Sequence, residues 1–358
     1  MLSGGRHQGI LRTSKESIQK MTSANATRHA NERKKLFVHI GMFKTGTTAI
    51  QYFLQENMER LYDQGVLYPK TGRHPHSPVQ HGLIGEMFLP QPLSAGDFTL
   101  PGPIDRQSTL KALLDEIESS CASRIILSAE ALCILPAEGV KEFGQGFTDF
   151  DIVPIVYFRN FADLADASYQ THVIHNITTK PFSEMGFEHW VDMDLVAMCR
   201  NWSAIAYDGR ILVQDYDDPD ERNSILTFAR MTGLDMNRLG PPDREQRLNV
   251  SVSATLVAIK SELVRGGASV LEADRLLAQL QILPFAERQT MLPPALNRDL
   301  RQAYTKQLRL LAASEFVVGL DAVRLEREPE APPEKIQISN LVDALFSIGR
   351  AVARMKSA

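Results

Sequence analysis

The sequence predicts an α/β protein in which a parallel β-sheet is flanked by helices and followed by a helical C-terminal part. Two observations carry this prediction. Short apolar runs typical of buried strands alternate with segments whose apolar residues recur at helical spacing, as in sheets joined by crossover helices. The chain has 358 residues, of which 44% are hydrophobic and 23% charged, a composition typical of globular proteins.

The apolar runs and the helical periodicity place the elements in order along the chain. Four buried strands are predicted, at residues 36–40, 124–130, 151–160 and 210–216. Helices are predicted at about 50–61, at 110–117 and from 161 to about 174. The remainder of the chain is predicted to be mostly helical, with helices at about 221–232, 251–265, 271–282, 297–313 and 337–354.

Composition divides the chain into three parts. Residues 1–34 are polar and basic without apolar periodicity, which predicts a disordered tail. Residues 35–325 are predicted to form the α/β domain, and 326–358 a proline-rich linker with a C-terminal helix. Within the domain, residues 71–105 carry six prolines and are predicted to form a long loop, a kind of segment that is often functional.

The bulk properties exclude several function classes. A net charge of −4 gives no electrostatic reason to expect a nucleic-acid partner. The chain has neither an apolar run long enough to cross a membrane nor the apolar core of a signal peptide. Its three cysteines lack metal-ligand spacing and suit a reducing compartment. We therefore expect a cytoplasmic protein without a metal site, and contact with a membrane surface stays open.

The segment GMFKTGTT, residues 41–48, joins the first predicted strand to the first helix. The P-loop pattern G-x-x-x-x-G-K-[ST] places its lysine after the second glycine, whereas Lys44 stands two positions before Gly46. The anion-binding parts remain, because the first N–H groups of a helix and a glycine turn form an anion nest. We therefore predict a P-loop NTPase-like sheet whose candidate anion-binding residues are Lys44, Thr45, Gly46, Thr47 and Thr48.

Two other interpretations of this loop stay open. It can be a plain glycine turn with a solvent-exposed lysine. It can also bind ATP or GTP, which requires a carboxylate at the end of a neighbouring strand to help hold magnesium. Glu130, at the end of RIILSAE, meets that requirement.

Arg159 directly follows the apolar run 152–158. The carboxyl ends of parallel strands line the ligand crevice, and a guanidinium there donates paired hydrogen bonds to phosphate oxygens. Ser168, in the helix that follows, is a candidate ligand of the same phosphate. The alternative is an ion pair between Arg159 and an acid such as Asp163. Taken together with the loop, Arg159 predicts a ligand with anionic groups at both ends.

The segments KTGTT (44–48) and YFRNFADLADASYQ (157–170) together resemble the sulfotransferases that use 3′-phosphoadenosine 5′-phosphosulfate (PAPS). KTGTT is similar to the family's 5′-phosphosulfate loop. YFRNFADLADASYQ is similar to its 3′-phosphate segment, with Arg159 and Ser168 at the matching positions. The wider run is similar to bacterial members, which read HIGxxKTGTT…IQ…G…YP. RLNVSVS (247–253) resembles a late basic element of that group, which makes Arg247 a further donor-binding candidate.

The resemblance implies that PAPS is the donor and that a sulfuryl group passes to a hydroxyl or an amine. It also implies that no metal is needed, because Lys44 and backbone donors stabilise the leaving phosphate. The bond that breaks joins the sulfate to the 5′-phosphate, so a lysine moved forward lies at the bridging oxygen. From the bacterial pattern we expect a carbohydrate or glycolipid acceptor.

The acceptor must lose its proton to a base within about 3 Å. Glu130 lies close to where cytosolic members carry a catalytic histidine, although Ala129 is the equivalent residue in an alignment shifted by one. His81, in the long loop, is the other candidate, since the family uses a histidine or a glutamate in different branches. Ser128 is expected to hold a sulfate or 3′-phosphate oxygen. A nucleotide or small-molecule kinase and a non-catalytic nucleotide-binding relative remain alternatives.

Overall fold

The structure is a computed structural model that describes residues 33–91, 104–221, 223–240, 254–280, 289–320 and 334–335. The tail at 1–32, Arg247 and the helix predicted at 337–354 lie outside the described residues. Among the described helices, none combines the length and the apolar character that a membrane span requires.

Six parallel strands form one sheet in the order β2-β3-β1-β4-β5-β7, and two further strands, β6 and β8, pair with each other. This sheet, flanked by helices, confirms the predicted α/β fold. The strands are β1 (Lys35–Ile40), β2 (Val66–Leu67), β3 (Arg124–Ala129), β4 (Asp151–Phe158), β5 (Ile211–Asp215), β6 (Gln289–Thr290), β7 (Val317–Val318) and β8 (Glu334–Lys335).

Strand β1 lies between β3 and β4 and pairs with both along its whole length. The four long strands match the four predicted runs. The two-residue strands β2 and β7 were not predicted, because two residues carry no periodic signal. Strand β3 ends at Ala129, one residue earlier than predicted, and Glu130 begins a 3₁₀ turn that extends to Ile134.

The helices that precede the C-terminal part are α1 (Thr47–Glu56), α2 (Met58–Tyr62), α3 (Gly82–Glu86), α4 (Arg106–Glu118), α5 (Ala137–Gly146), α6 (Phe161–Ile174), α7 (Leu195–Ser203) and α8 (Ser224–Thr232). The helices α9 (Ala254–Arg265), α10 (Val270–Leu280) and α11 (Pro294–Ala312) follow, as predicted for the C-terminal part. The first predicted helix is divided in two at Asn57.

Each face of the sheet carries its own apolar core. Leu36, Val38 and Ile40 of β1 belong to one cluster, and Phe37 belongs to the other. This alternation follows from the strand period of two residues. Because both faces are covered, the strand interiors are mostly apolar, and the exposed polar groups follow the strand ends.

The C-terminal helices hold α6 in place through buried ionic contacts. The fully buried Lys260 of α9 donates from Nζ to the carbonyl oxygen of Ile174, the last residue of α6, at 2.9 Å. The same ammonium lies 2.5 Å from an Asp274 carboxylate oxygen. Arg301 of α11 pairs with Asp163 in the first turn of α6 at 2.6 Å. Helix α6, which begins directly after Arg159 and Asn160, is therefore fixed at both ends.

Replacing Lys260 with methionine tests this anchor. The variant keeps the apolar stem but leaves the Ile174 carbonyl without its donor. We expect the free energy of unfolding to fall by roughly 1–3 kcal/mol in urea titrations. The matched control is Lys306→Met on α11, an exposed position, where the change should stay within about 0.5 kcal/mol. Equal urea midpoints for the Lys260 variant and the wild type would show that Lys260 does not stabilise the end of α6.

Candidate functional site

Four strand ends meet at one edge of the sheet. The loop from Gly41 follows β1, Glu130 follows β3, Arg159 follows β4 and Tyr216 follows β5. Since the strands are parallel and adjacent, their carboxyl ends form one continuous rim, which is where α/β proteins bind ligands. The loop lies at the centre of this rim, with Glu130 on one side and Arg159 on the other.

The loop backbone is left-handed at two positions. Gly46 has φ 77°, and a Cβ there would lie 2.7 Å from Ser224 Oγ and 3.0 Å from Tyr216 Cε2, so only glycine fits. Lys44 has φ 60°, which is unfavourable for a residue with a side chain and costs roughly 1–3 kcal/mol. Such strain is typical of ligand-binding loops, where the surrounding structure holds it.

The backbone donors of this loop are free. For the N–H groups of residues 44–48, the described part of the chain supplies no hydrogen-bond acceptor. Helix α1 begins at Thr47 without a side-chain cap, so its N-terminal donors and the positive end of its dipole are also unused. The loop therefore has the unpaired N–H groups that an anion nest requires, and its binding of an anion stays a prediction.

The threonine hydroxyls of the loop divide into two kinds. Thr45 and Thr47 both donate to the carbonyl oxygen of Met42, at 2.7 and 3.1 Å, and both residues are buried. These two hydroxyls brace the turn from inside, and only their N–H groups are available to a ligand. Thr48 is partly exposed, and its hydroxyl has no partner within the described residues.

Arg159 lies directly against the loop. Its Nη1 donates to the carbonyl oxygen of Lys44 at 3.0 Å. Its Nε lies 3.7 Å from an Asp217 carboxylate oxygen, and its guanidinium carbon lies 5.5 Å from the ring centre of Tyr216. Asp217 also accepts from the N–H of Asn160 at 2.8 Å, so one carboxylate braces the end of β4 twice. The two segments that the sequence paired are in contact.

Asp163, the acid proposed as an alternative partner of Arg159, pairs with Arg301 instead. Ser168 lies farther along α6 and is partly exposed, and no hydrogen bond joins it to Arg159 within the described structure. Arg247 falls outside the described residues. Of the predicted 3′-phosphate residues, Arg159 alone is seen in contact with the loop among the residues that the structure describes.

Glu130 faces the loop from the other side. It begins the 3₁₀ turn after β3, and its Cγ lies only 3.2 Å from where a Cβ on Gly41 would be. Burial raises the pKa of its carboxyl to about 7, against the opposing effect of the positive charge on Lys44. A carboxyl with this pKa exchanges its proton near neutral pH, as a general base requires.

Both ring nitrogens of His81 are engaged inside the protein, so neither is free to take a proton from the acceptor substrate. The side chain is fully buried, its Nδ1 accepts from the N–H of Ser128 at 3.1 Å, and its Nε2 lies 2.9 Å from the carbonyl oxygen of Pro69. Desolvation by burial lowers its pKa to about 4, so the ring is neutral at physiological pH. His81 therefore serves as a core residue that ties the segment after Pro69 to β3, in contrast to the role expected from the sequence.

The hydroxyl of Ser128 is also committed inside the protein. It is fully buried and contacts His39 Nδ1 at 2.8 Å and Gln51 Nε2 at 3.1 Å. These contacts lie beneath the rim rather than at it. Ser128 is therefore not placed to hold an oxygen of a ligand, contrary to the expectation from the sequence.

Tyr216 and Asp217, which brace Arg159, were missed by the sequence analysis. The signal was available, because both residues directly follow β5 just as Arg159 follows β4. The predicted strand at 210–216 ran one residue too far and absorbed Tyr216. Among the described residues, no group of three or more His, Cys, Asp or Glu side chains is arranged around a possible ion.

No protein-family model and no curated protein matches this chain. Among solved structures, it is similar to a sulfotransferase from Alicyclobacillus acidocaldarius, with a TM-score of 0.40 and 13% sequence identity. That similarity covers 71% of this chain and 98% of the other.

Replacing Glu130 with glutamine tests the raised pKa. With a folded pKa of about 7 and an unfolded value of roughly 4.3, the folded protein binds more protons across this interval. The wild type should therefore lose stability as pH rises through it. Glutamine cannot ionise, so the variant should melt above the wild type at pH 8 and converge with it near pH 4.

Calorimetric melts from pH 4 to pH 8 provide the measurement, with Glu138→Gln at an exposed position of α5 as the control. The control should shift the melting temperature by the same small amount at every pH. If the Glu130 variant melted below the wild type at pH 8, Lys44 would be stabilising the ionised carboxylate and the pKa would not be raised.

Proposed function

We propose that this protein is a PAPS-dependent sulfotransferase that moves a sulfuryl group to a hydroxyl or amine of an acceptor, with a carbohydrate or glycolipid as the acceptor class. The observation that carries the proposal is the contact between Arg159 and the Lys44 loop. It supports a single crevice in which one ligand meets free backbone N–H groups at one end and a guanidinium at the other.

The donor fits this distribution of charge. A 5′-phosphosulfate suits the unpaired N–H groups of residues 44–48 and the helix N-terminus, which stabilise anions through oriented dipoles. The 3′-phosphate suits Arg159, whose planar fork binds phosphate oxygens in pairs. Ser168 and Arg247 are proposed as additional 3′-phosphate ligands on the resemblance alone. We propose that the site holds no metal. We also propose that the protein acts in the cytoplasm, and contact with a membrane surface stays open.

Lys44 is proposed to act on the leaving group. Within the described residues no carboxylate lies within 4.0 Å of its ammonium, so the charge is available. Burial lowers the pKa of Lys44 and the charge of Arg159 lowers it further, while Glu130 opposes both. An ammonium at the bridging oxygen stabilises the negative charge that develops there as the sulfur–oxygen bond breaks.

Glu130 is proposed as the base. The acceptor oxygen attacks the sulfur, the bond from sulfur to the 5′-phosphate oxygen breaks, and the acceptor proton passes to the Glu130 carboxylate. The products are the sulfated acceptor and adenosine 3′,5′-bisphosphate (PAP). A pKa of about 7 allows Glu130 to take a proton at neutral pH and to release it to solvent afterwards.

One observation favours a different candidate. Glu130 follows β3, the strand beside β1, which is the position where a kinase of the P-loop class holds its magnesium carboxylate. A nucleotide or small-molecule kinase therefore remains the alternative. The two candidates differ in the ligand that each must bind, PAP without metal or ATP with magnesium.

Ligand-induced stabilisation separates the two candidates. We expect PAP at about 100 times its dissociation constant, without magnesium, to stabilise the folded state by roughly 2.7 kcal/mol in thermal melts. Arg159→Ala should abolish this shift. Arg210→Ala, an exposed position at the opposite edge of the sheet, should preserve it. Stabilisation by ATP with magnesium and none by PAP would favour the kinase.

Activity tests the roles of Lys44 and Glu130. In a screen of labelled PAPS against bacterial saccharides, lipids and phenols, we expect label to transfer to at least one acceptor. With that acceptor, Lys44→Met should lower kcat by roughly 10²–10³, the range for loss of one group that stabilises developing charge. Glu130→Gln should lower kcat by roughly 10²–10⁴, the range for loss of a positioned base. The Glu130 variant should still bind PAP, since the carboxyl acts on the acceptor side. Full activity in both variants would contradict the mechanism, and PAP binding without transfer would indicate a non-catalytic relative.

A further inference from the structure

Gln80 is a polar side chain at the rim that the mechanism above does not use. It belongs to the proline-rich segment that the sequence predicts as a long loop at 71–105. Its side chain is partly exposed, and its Oε1 accepts a long hydrogen bond from the N–H of Glu130 at 3.5 Å. Gln80 is therefore open to solvent and in direct contact with the backbone of the residue proposed as the base.

This contact fixes the orientation of the Gln80 amide. A backbone N–H group can only donate, so the amide oxygen must face Glu130 and the NH₂ group must face the other way. Within the described residues, Nε2 of Gln80 donates to no acceptor. The side chain therefore offers unused N–H donors beside Glu130.

The peptide unit between Ala129 and Glu130 determines on which side of the rim Gln80 lies. The carbonyl oxygen of this unit accepts from the N–H of Gly41, in the loop, at 3.0 Å. Its N–H group points the opposite way, toward Gln80, because the peptide is trans. Gln80 and the loop therefore lie on opposite sides of the end of β3. Since the donor is proposed to bind on the loop side, Gln80 lies on the side that is left for the acceptor.

The residues on either side of Gln80 are firmly held. The N–H of His81 donates to the carbonyl oxygen of Ser128 at 2.8 Å, which attaches the segment to β3 where the short strand β2 no longer pairs with it. The carbonyl oxygen of the buried Val79 accepts from the hydroxyl of Tyr68 at 2.5 Å. Gln80 is thus a partly exposed residue between two anchored, buried neighbours, and such preorganisation lowers the entropic cost of binding a ligand.

We infer that Gln80 donates a hydrogen bond from Nε2 to the acceptor, to the oxygen of a hydroxyl next to the one that attacks sulfur. The acceptor is then a saccharide with hydroxyls on adjacent carbons. This inference rests on the proposed function. Glu130 takes the proton of one hydroxyl while Gln80 holds its neighbour, so the two side chains recognise a pair of oxygens. An acceptor with a single hydroxyl, such as a simple phenol, leaves the amide unpaired.

Deoxy analogues of the acceptor test this inference. The measured quantity is kcat/KM for the saccharide found in the screen with labelled PAPS, and for analogues in which one hydroxyl next to the sulfated one is replaced by hydrogen. We expect the wild type to prefer the saccharide over one of these analogues by about ten-fold, the effect of one hydrogen bond. Gln80→Leu should lower kcat/KM for the saccharide by that factor, mainly through KM, and should act equally on both compounds.

Two controls accompany this comparison. Gln145→Leu, at an exposed position of α5, should keep the wild-type preference. PAP should stabilise the Gln80 variant as much as the wild type, because Gln80 lies away from the loop. Should the leucine variant fail to fold, Gln80→Met, which keeps the length of the side chain, replaces it with the same expected result.

The outcomes distinguish the inference from the proposed function. If the Gln80 variant loses activity equally on the saccharide and on every analogue, Gln80 only supports Glu130, and the inference is overturned while the proposed function stands. Transfer of label by the wild type to phenols but to no saccharide would overturn it in the same way. If the wild type neither binds PAP nor transfers label, the proposed function itself fails.

Discussion

The hydrogen bond from Arg159 Nη1 to the carbonyl oxygen of Lys44 is the interaction on which the rest of the site depends. It joins the end of β4 to the loop that follows β1, its neighbour in the sheet. It engages the carbonyl side of the loop, whereas the N–H groups of residues 44–48 have no acceptor in the described part of the chain. Asp217 and Tyr216 also contact the guanidinium of Arg159, so the position of Arg159 does not depend on the loop alone.

Partial burial of charge is a further constraint at the rim. Lys44 and Arg159 lie close together at the rim and their charges repel each other, and Lys44 has no carboxylate within ion-pair distance among the described residues. The positive charge of Lys44 lowers the pKa of the Glu130 carboxyl. Desolvation raises that pKa by more, so the pKa of Glu130 is raised overall. A dianionic ligand would relieve the repulsion between the two cations, whereas a neutral ligand would leave it in place.

The sequence predicts the sheet, the loop and the strand end at Arg159, because apolar runs report burial and parallel strands bring their carboxyl ends together. It does not predict which way side chains turn. Ser128 lies in a correctly predicted strand and His81 within the predicted loop, yet packing places both side chains in the core. The hydroxyls of Thr45 and Thr47 turn inward to Met42, which depends on left-handed torsions that no residue spacing reveals. Tyr216 was within reach of the same strand-end argument that pointed to Arg159.

The groups at and beneath the rim differ in role: some support the loop, and others are proposed to contact the ligand. His39, Gln51 and Ser128 form a buried polar network under the loop, and the inner threonines brace its turn. Above them lie the unpaired backbone donors, then Lys44. The inner hydroxyls support the loop, and the unpaired N–H groups and Lys44 are proposed to meet the ligand; Arg159 is proposed to do both, since it already holds the Lys44 carbonyl.

A crystal structure of the protein with PAP would show whether one nucleotide bridges the loop and Arg159. We expect the 5′-phosphate on the N–H groups of residues 44–48 and the 3′-phosphate on the guanidinium of Arg159, within one nucleotide. A nucleotide bound elsewhere, or one whose phosphates contact the loop while Arg159 keeps only its protein partners, would contradict it.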